Sequence, residues 1–312
     1  MMRTRACIST VLAVALLVTG ARAAHAQAAP GIPGHTVDLA VDGAVIGVGA
    51  AGALLAPLIP ARGGDGWRRE LFGAVDERVK ANLSPRAAHL SDALLVTTIA
   101  VPAALLLGDP IDRGTGERYV VYAESISTNL LLNALAKYGV QRPRPYTYSR
   151  DPRAHALATA KDARLSFYSG HAAIAFGSAV TGAYLHAART TDPDARAVVW
   201  GVELALASAT ANLRVRAGKH FYSDVVVGAV VGAGVGYLVP ALHADDGGRH
   251  APSAREYLGM GAGLALGVLG SQLVPLERDV PVEGGERPPR VTARLVPMAV
   301  ADGAGVLAVG TF

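Results

Sequence analysis

Three short segments of the chain carry cations, histidines or a carboxylate at spacings that could hold an anion. The first, KYGVQRPRPY, contains Lys137 and Arg144 and closes an apolar stretch. The second, SFYSGHAAIAFGS, places Ser169, Gly170 and His171 immediately before another apolar stretch. The free N–H groups at a helix N-terminus bind anions, and glycine allows a phosphate to approach the backbone. These two segments therefore predict an anion site with a histidine beside it.

The third segment, NLRVRAGKHFYSDV, adds a possible nucleophile. It contains Arg214, then His220 after five intervening residues, then Asp224 after three more. If His220 and Asp224 open a helix, this spacing puts them on one face. A carboxylate that accepts the imidazole N–H fixes the tautomer and leaves the other ring nitrogen free to attack. The alternative is an ordinary salt bridge at a helix start.

Six long apolar segments must position these residues. Hydrophobic residues make up 51% of the 312-residue chain but aromatic residues only 5%, which is typical of packed helices. Each segment is about as long as a membrane span or slightly shorter, and glycine and alanine suit close helix contacts. We predict an all-α, six-helix bundle and favour a membrane-embedded bundle over a soluble one. The predicted helices cover residues 43–60, 93–108, 119–136, 172–188, 197–213 and 225–242.

The three segments should meet at one end of such a bundle. If consecutive helices are joined as hairpins, then the end of the third helix, the start of the fourth and the turn between the fifth and sixth lie together. Their side chains would supply three cations, a helix N-terminus, two histidines and one carboxylate. This set can hold a tetrahedral oxyanion and transfer a phosphoryl group through a histidine. Because no acidic cluster indicates a catalytic metal, we predict neither a metal nor another cofactor.

In the residues and spacings of these three segments, the chain resembles the type 2 phosphatidic acid phosphatase (PAP2) and vanadium haloperoxidase superfamily. That family has Lys, six residues and Arg-Pro, then Pro-Ser-Gly-His, then Ser-Arg, five residues, His, three residues and Asp. Two positions differ, because Tyr168 replaces the proline and Leu213 replaces the serine before the arginine. The matching residues are Lys137, Arg144, Ser169, Gly170, His171, Arg214, His220 and Asp224.

The resemblance implies a role for each matching residue. His220 would attack phosphorus and become a phosphohistidine, while Asp224 orients it. His171 would protonate the leaving oxygen and then activate water. Arg142 is a further possible phosphate contact, although the six-residue spacing from Lys137 favours Arg144 as the motif residue. The residues expected to bind the phosphate oxygens are Lys137, Arg144, Ser169, Gly170 and Arg214.

The resemblance leaves several functions open. Apolar helices around the site imply a lipid phosphate or pyrophosphate, such as phosphatidate, phosphatidylglycerol phosphate or an isoprenoid diphosphate. The expected partners are this lipid and the membrane, and we infer no obligate protein partner. A soluble secreted acid phosphatase is the main alternative. A vanadate-dependent haloperoxidase and a non-catalytic membrane protein that keeps the site are less favoured.

The two ends of the chain have their own character. Arg3 and Arg5, an apolar core at 8–18 and a small-x-small site at 24–26 predict a signal peptide over residues 1–26. Its removal would take Cys7 and three of the 29 basic residues, which leaves 26 against 25 acidic residues and argues against a nucleic-acid partner. We predict a phosphatase domain over 27–242, with its motif core at 119–242, and a linker and C-terminal extension over 243–312.

Two further predictions concern this extension and the location of the protein. Residues 257–276 form a seventh apolar segment, which is either a helix or strands, and the sequence around Asp302-Gly303 predicts a small β-hairpin. The signal peptide and the resemblance predict the bacterial cell envelope. The apolar helices favour the inner membrane over the soluble periplasm. The loop charges leave open which side the active site faces.

Overall fold

The computed structural model divides the chain into two compact units, Met1–Arg278 and Asp279–Phe312. It describes residues 34–60, 73–80, 82–106, 112–149, 151–158, 160–245, 250–274, 292–300 and 303–311. The predicted signal peptide, with Cys7, lies outside these residues.

The first unit is helical. Three short 3-10 turns, Ala56–Leu58, Pro145–Tyr148 and Lys161–Arg164, join some of its helices. The described α-helices are α1 (Leu39–Leu55), α2 (Ala74–Glu77), α3 (Pro85–Leu106), α4 (Arg113–Val140), α5 (Pro152–Ala158), α6 (Gly170–Ala187), α7 (Pro193–Arg216), α8 (Tyr222–His243) and α9 (Ala254–Ser271). The six predicted segments fall mainly on α1, α3, α4, α6, α7 and α8, which confirms the all-α prediction. Segments 43–60 and 172–188 extend beyond the observed helix ends, and residues 107 and 108 of segment 93–108 lie outside the described residues. The seventh segment is a helix, α9, and not strands.

The helices begin where side chains can accept hydrogen bonds from their first N–H groups. Asp38 caps α1, Asp112 caps α4 and Asp192 caps α7. Ser253 caps α9 and forms a capping box with Glu256. Because the first N–H groups of a helix have no partner inside it, these caps fix where each helix starts.

Helix α6 is central, and most of its residues are buried. A row of glycines on α8 lets the two backbones approach closely, because a Cβ atom at each would meet a backbone oxygen of α6 or of its cap residue Ser169. This close approach ties the first turn of α8 to the first turn of α6. The glycines of this row are Gly228, Gly232 and Gly236.

Helix α9 packs on α7 by the same device. A Cβ atom at any of three α9 glycines would meet the backbone oxygen of Ala197, Gly201 or Ala205 in α7. The segment that the sequence left ambiguous therefore adds a seventh long helix to the six that were predicted. Its glycines are Gly259, Gly263 and Gly267.

Three of the described helical segments are long and apolar enough to cross a membrane: Leu39–Leu58, Pro85–Leu106 and Tyr222–His243. The other three predicted segments do not meet this criterion. Charged and polar side chains lie along α4 and α7, and α6 contains two histidines and several small or hydroxyl side chains, which lower its hydropathy.

The second unit contains two strands, β1 (Thr292–Val300) and β2 (Gly303–Thr311), which pair antiparallel with Val300 opposite Gly303. The predicted hairpin falls on this pair. Its turn residues, 301 and 302, lie outside the described residues. No other observation supports the hairpin, so it stays a prediction.

Candidate active site

The fold brings the three chemical segments together at one end of the bundle. Lys137 lies in the last turn of α4, and Ser169 caps α6. Arg214 lies in the last turn of α7, and Asp224 in the first turn of α8. The turn between α7 and α8 carries the buried His220, and the titratable residues around it come from all three segments. They are Lys137, Arg144, His171 and Arg214.

His220 is held in one tautomer. Its Nδ1 lies 2.8 Å from the carbonyl oxygen of Ser166, and the ring is only 1% exposed. Because a carbonyl oxygen can only accept a hydrogen bond, Nδ1 carries the proton and Nε2 keeps its lone pair. Burial, together with the surrounding cations, lowers the pKa of His220 well below its usual value. The imidazole is therefore neutral, as a nucleophile must be.

Asp224 is not the hydrogen-bond partner of His220 that the sequence predicted. Its Oδ2 is 3.8 Å from His220 Nδ1. The same oxygen accepts hydrogen bonds from Ser166 Oγ at 2.5 Å and from the N–H of Phe221 at 2.9 Å. Helix α8 begins at Tyr222, after the histidine, so the two side chains do not share a helix face. Asp224 instead contacts the serine whose carbonyl holds the ring.

Arg142 lies behind Asp224 and does not supply the further phosphate contact that the sequence allowed. Its Nη1 is 2.6 Å from Asp224 Oδ1, and its Nη2 is 2.9 Å from Asp76 Oδ2. The guanidinium also packs 4.0 Å from the ring centre of Phe221. Ser223 Oγ donates to the same Asp76 oxygen at 2.5 Å. Sequence reasoning missed Asp76 because it lies 66 residues before its partner, outside every motif.

The cations assigned to phosphate binding stand close together. Arg144 donates from Nε to the carbonyl oxygen of Asp162 at 2.8 Å, and its Nη2 also pairs with the Asp162 carboxylate. Burial and the nearby Arg144 lower the pKa of Lys137 to about 8. Burial likewise lowers the pKa of Arg214 to about 10. Crowded, poorly solvated cations of this kind are stabilised when a phosphate binds between them.

His171 and Arg214 share a carboxylate that the sequence analysis did not identify. Asp92 Oδ1 lies 2.7 Å from His171 Nε2 and 3.0 Å from Arg214 Nη1. Burial and the Arg214 charge lower the pKa of His171 to about 4, although Asp92 acts in the opposite direction. Asp92 lies in α3, outside the three motif segments. Its contact with His171 and Arg214 is visible only in the folded structure.

Ser169 and Gly170 form the N-terminus of α6. Ser169 is fully buried and its Oγ accepts from the N–H of Ala172 at 3.3 Å, which leaves the hydroxyl hydrogen for another acceptor. A Cβ atom at Gly170 would lie 2.6 Å from Asn133 Oδ1, so a larger residue there would displace the Asn133 side chain. The anion site predicted at this helix start therefore also depends on a close contact with α4.

The two departures from the family pattern are buried. Tyr168 is 5% exposed, and its carbonyl oxygen accepts from Asn133 Nδ2 at 2.7 Å. Leu213 packs in an apolar cluster with Ala87 and Ala217. Both residues therefore have packing roles next to the site.

Comparison with known families agrees with this geometry. Residues 118–247 match the family model described as the PAP2 superfamily. This segment is similar to the PAP2 superfamily. The match includes all eight predicted site residues, from Lys137 to Asp224, whereas Asp76 and Asp92 precede it. No curated protein and no solved structure matches the chain. The PAP2 domain indicates phosphatase activity on phosphate-containing substrates.

Proposed function

We propose that the PAP2 domain hydrolyses a lipid phosphate or pyrophosphate through a phosphohistidine at His220, with no metal in the active site. The observation that carries this proposal is the hydrogen bond from His220 Nδ1 to the Ser166 carbonyl. It leaves Nε2 unprotonated in a buried ring that is surrounded by cations. An imidazole in this state can form a covalent phosphoryl intermediate.

In the first step, His220 Nε2 attacks phosphorus and the bond between phosphorus and the leaving oxygen breaks. His171 donates a proton to that oxygen. In the free site His171 is neutral because its pKa is near 4. A bound phosphate raises this pKa, since it places negative charge beside the ring. Substrate binding thereby supplies the protonated form that the first step requires.

The transferred phosphoryl group is stabilised by the cations around it. Lys137, Arg144 and Arg214 bind its oxygens, and the guanidinium fork can meet two oxygens at once. The Ser169 hydroxyl and the Gly170 N–H add donors at the positive end of α6. Since these groups are already in place, little reorganisation is needed as charge develops in the transition state.

In the second step, His171 accepts a proton from water, and the resulting hydroxide attacks phosphorus. The bond between His220 and phosphorus breaks, and inorganic phosphate is released. His220 ends neutral, with its proton still on Nδ1. His171 loses the added proton when the phosphate leaves.

A membrane lipid is the substrate that the apolar surface supports best. Large apolar side chains are exposed on each of the three segments that could span a membrane, including Leu54 at 77%, Val96 at 66% and Val230 at 67%. In water such surfaces would be costly, but they suit contact with lipid tails. We place the protein in the bacterial inner membrane with its site at one end of these helices. A secreted acid phosphatase remains the second candidate, because α4, α6 and α7 do not meet the membrane criterion.

Phosphate release by the full chain in detergent tests this proposal. The substrates are phosphatidate, an isoprenoid diphosphate and a small soluble phosphate ester. The variants are His220→Ala and, as a matched control, His186→Ala, which lies about 23 Å from His171 along α6. We expect release from a lipid substrate that His220→Ala abolishes and the control preserves. Preference for the soluble ester would indicate the acid phosphatase, and no release by folded protein would refute a phosphatase.

A further inference from the structure

Three side chains that suit a metal ion meet at the end of the bundle opposite the active site. Asp42 comes from α1, Glu124 from α4 and His243 from the last turn of α8, and their ligand atoms all lie within 4.8 Å of one another. At 1.5 Å per residue, His243 lies about 28 Å from Asp224 along α8. The cluster is therefore separate from the phosphate site.

The distances in this cluster fit shared coordination better than direct hydrogen bonding. His243 Nε2 lies 3.4 Å from Asp42 Oδ1 and 3.3 Å from Glu124 Oε2. Charge-assisted hydrogen bonds between such groups are shorter, about 2.7–2.9 Å. Two donors bound about 2.0–2.1 Å from one ion in tetrahedral geometry stand about 3.3–3.4 Å apart. The observed separations match that edge length.

The surrounding groups prepare two of these side chains as ligands. His243 Nδ1 lies 2.8 Å from the Val239 carbonyl oxygen, so Nδ1 carries the proton and Nε2 offers a lone pair. The N–H of Asp38 donates to Asp42 Oδ2 at 2.8 Å, which leaves Oδ1 facing the cluster. Metal-binding histidines and carboxylates are commonly oriented by hydrogen bonds of this kind on their second atom.

The charges of the cluster are not balanced by its own members. Two carboxylates face one imidazole, so the net charge stays negative even if the ring is protonated. Glu124 Oε2 is buried and lies 3.3 Å from His243 Nε2, but it accepts no hydrogen bond from the described residues. A buried carboxylate oxygen without a hydrogen bond is costly. A divalent cation would satisfy this oxygen and balance both carboxylates.

An independent observation on the segment before α1 also points to a ligand in this cavity. His35 is 4% exposed, and neither ring nitrogen has a hydrogen-bond partner within the described residues. It lines the same cavity as Asp42 and His243. The N–H of Thr36 donates to the His243 carbonyl oxygen at 2.8 Å, which fixes this segment against the end of α8. A buried imidazole with no hydrogen-bond partner among the described residues is unusual and suggests that a ligand binds in this cavity.

We propose that Asp42, Glu124 and His243 bind a divalent transition metal, with Zn²⁺ the ion that suits them best. Imidazole and carboxylate donors together suit Zn²⁺, and three protein ligands leave the fourth tetrahedral position for water. The ion would tie α1 to α4 and α8. Sequence reasoning predicted no metal because these ligands come from three distant segments.

Metal binding to the full chain in detergent tests this site. Protein stripped with a chelator is titrated with Zn²⁺, desalted and analysed for bound metal and thermal unfolding. We expect about one Zn²⁺ per chain and a higher Tm with the ion. His243→Gln should weaken binding at least tenfold, whereas His186→Gln, which removes a histidine outside the cluster, should bind as the wild type does. Absence of bound metal in the wild type would overturn the proposal, and so would equal retention by His243→Gln.

A second readout covers the case in which His243→Gln does not fold. Co²⁺ replaces Zn²⁺ in the wild type and in Glu124→Gln, a substitution that keeps the shape of the side chain. We expect a visible absorption spectrum of four-coordinate Co²⁺ with nitrogen and oxygen ligands, and its weakening in the variant. A spectrum that resembles Co²⁺ in water, or one unchanged by Glu124→Gln, would rule the site out.

Discussion

At the scale of single residues, the backbone carbonyl of Ser166 fixes the nucleophile that we propose. The sequence indicated that His220 and Asp224 act together, because their types and spacing are read directly from the chain. It could not show that the accepting atom is a carbonyl oxygen, since every residue has one. Nor could it place Asp92 or Asp76, whose partners lie far along the chain.

The indirect link between Asp224 and His220 predicts a moderate effect of Asp224→Asn. Where a carboxylate alone fixes the tautomer, its amide costs about 10⁴ in kcat. Here the Ser166 carbonyl keeps the correct tautomer, so we expect a loss of about 10–10², caused by the missing charge. Steady-state kinetics on folded variant protein measure this. A loss near 10⁴ would mean that Asp224 sets the tautomer directly.

The carboxylate of Asp92 predicts opposite effects on binding and turnover. Asp92 competes with phosphate for Arg214, and it also orients His171. We expect Asp92→Asn to lower KM, because Arg214 is released, and to lower kcat about tenfold, because His171 loses its partner. Kinetics with the soluble ester and the lipid separate the two constants. An unchanged kcat would remove Asp92 from the mechanism.

The lowered pKa values of the two histidines predict activity well into the acid range. His220 attacks as a neutral ring, and His171 must be neutral to accept a proton from water. Their pKa values lie below the usual 6.5, at about 4 for His171. In the free enzyme both rings therefore stay neutral as the pH falls through 6.5. We expect kcat/KM, which reports the free enzyme, to keep its value as the pH falls through 6.5, because His220 remains neutral, and a fall centred near 6.5 would contradict this.

At the scale of elements, the sequence predicted the long helices but not their contacts. Apolar runs marked six helices, and the seventh run was ambiguous because its length and composition also allowed strands. Helix boundaries were less certain, and the start of α8 at Tyr222 changes how Asp224 is used. Which glycines face a neighbour depends on the tertiary arrangement. The sequence alone could therefore not identify the glycine rows on α8 and α9.

The α8 row predicts different effects for two glycines in the same helix. A Cβ atom at Gly232 would meet the backbone of Ala173, whereas one at Gly234 has nothing within 4 Å. We expect Gly232→Ala to lower the free energy of unfolding by about 1–3 kcal/mol. Gly234→Ala should be neutral or stabilising by up to about 1 kcal/mol. Denaturant unfolding in detergent compares them, and equal effects would show that α8 does not pack closely on α6.

At the scale of the whole molecule, the sequence predicted that three separate segments meet at one end of a bundle. That prediction depended only on consecutive helices running antiparallel, and the fold agrees with it. Membrane insertion was harder to judge, because buried helices and lipid-facing helices have similar compositions. The structure separates them, since α6 is covered by protein whereas α1, α3 and α8 expose large apolar side chains.

The exposed apolar helices predict that the full chain stays in the membrane. After expression in bacteria and extraction of membranes with alkaline carbonate, we expect it in the membrane pellet and soluble only in detergent. A soluble periplasmic protein is the control for complete extraction. Release of the chain into the carbonate supernatant would favour the secreted acid phosphatase.

Trapping the phosphorylated enzyme tests the central claim most directly. Full-length protein is mixed with phosphatidate, quenched within milliseconds under alkaline conditions and digested for mass spectrometry. The mechanism predicts a phosphoryl group on His220 that is stable in alkali and labile in acid. It should appear before steady-state phosphate release and be absent from His220→Ala. Phosphate release without any phosphohistidine, or with the phosphoryl group on another residue, would contradict the mechanism.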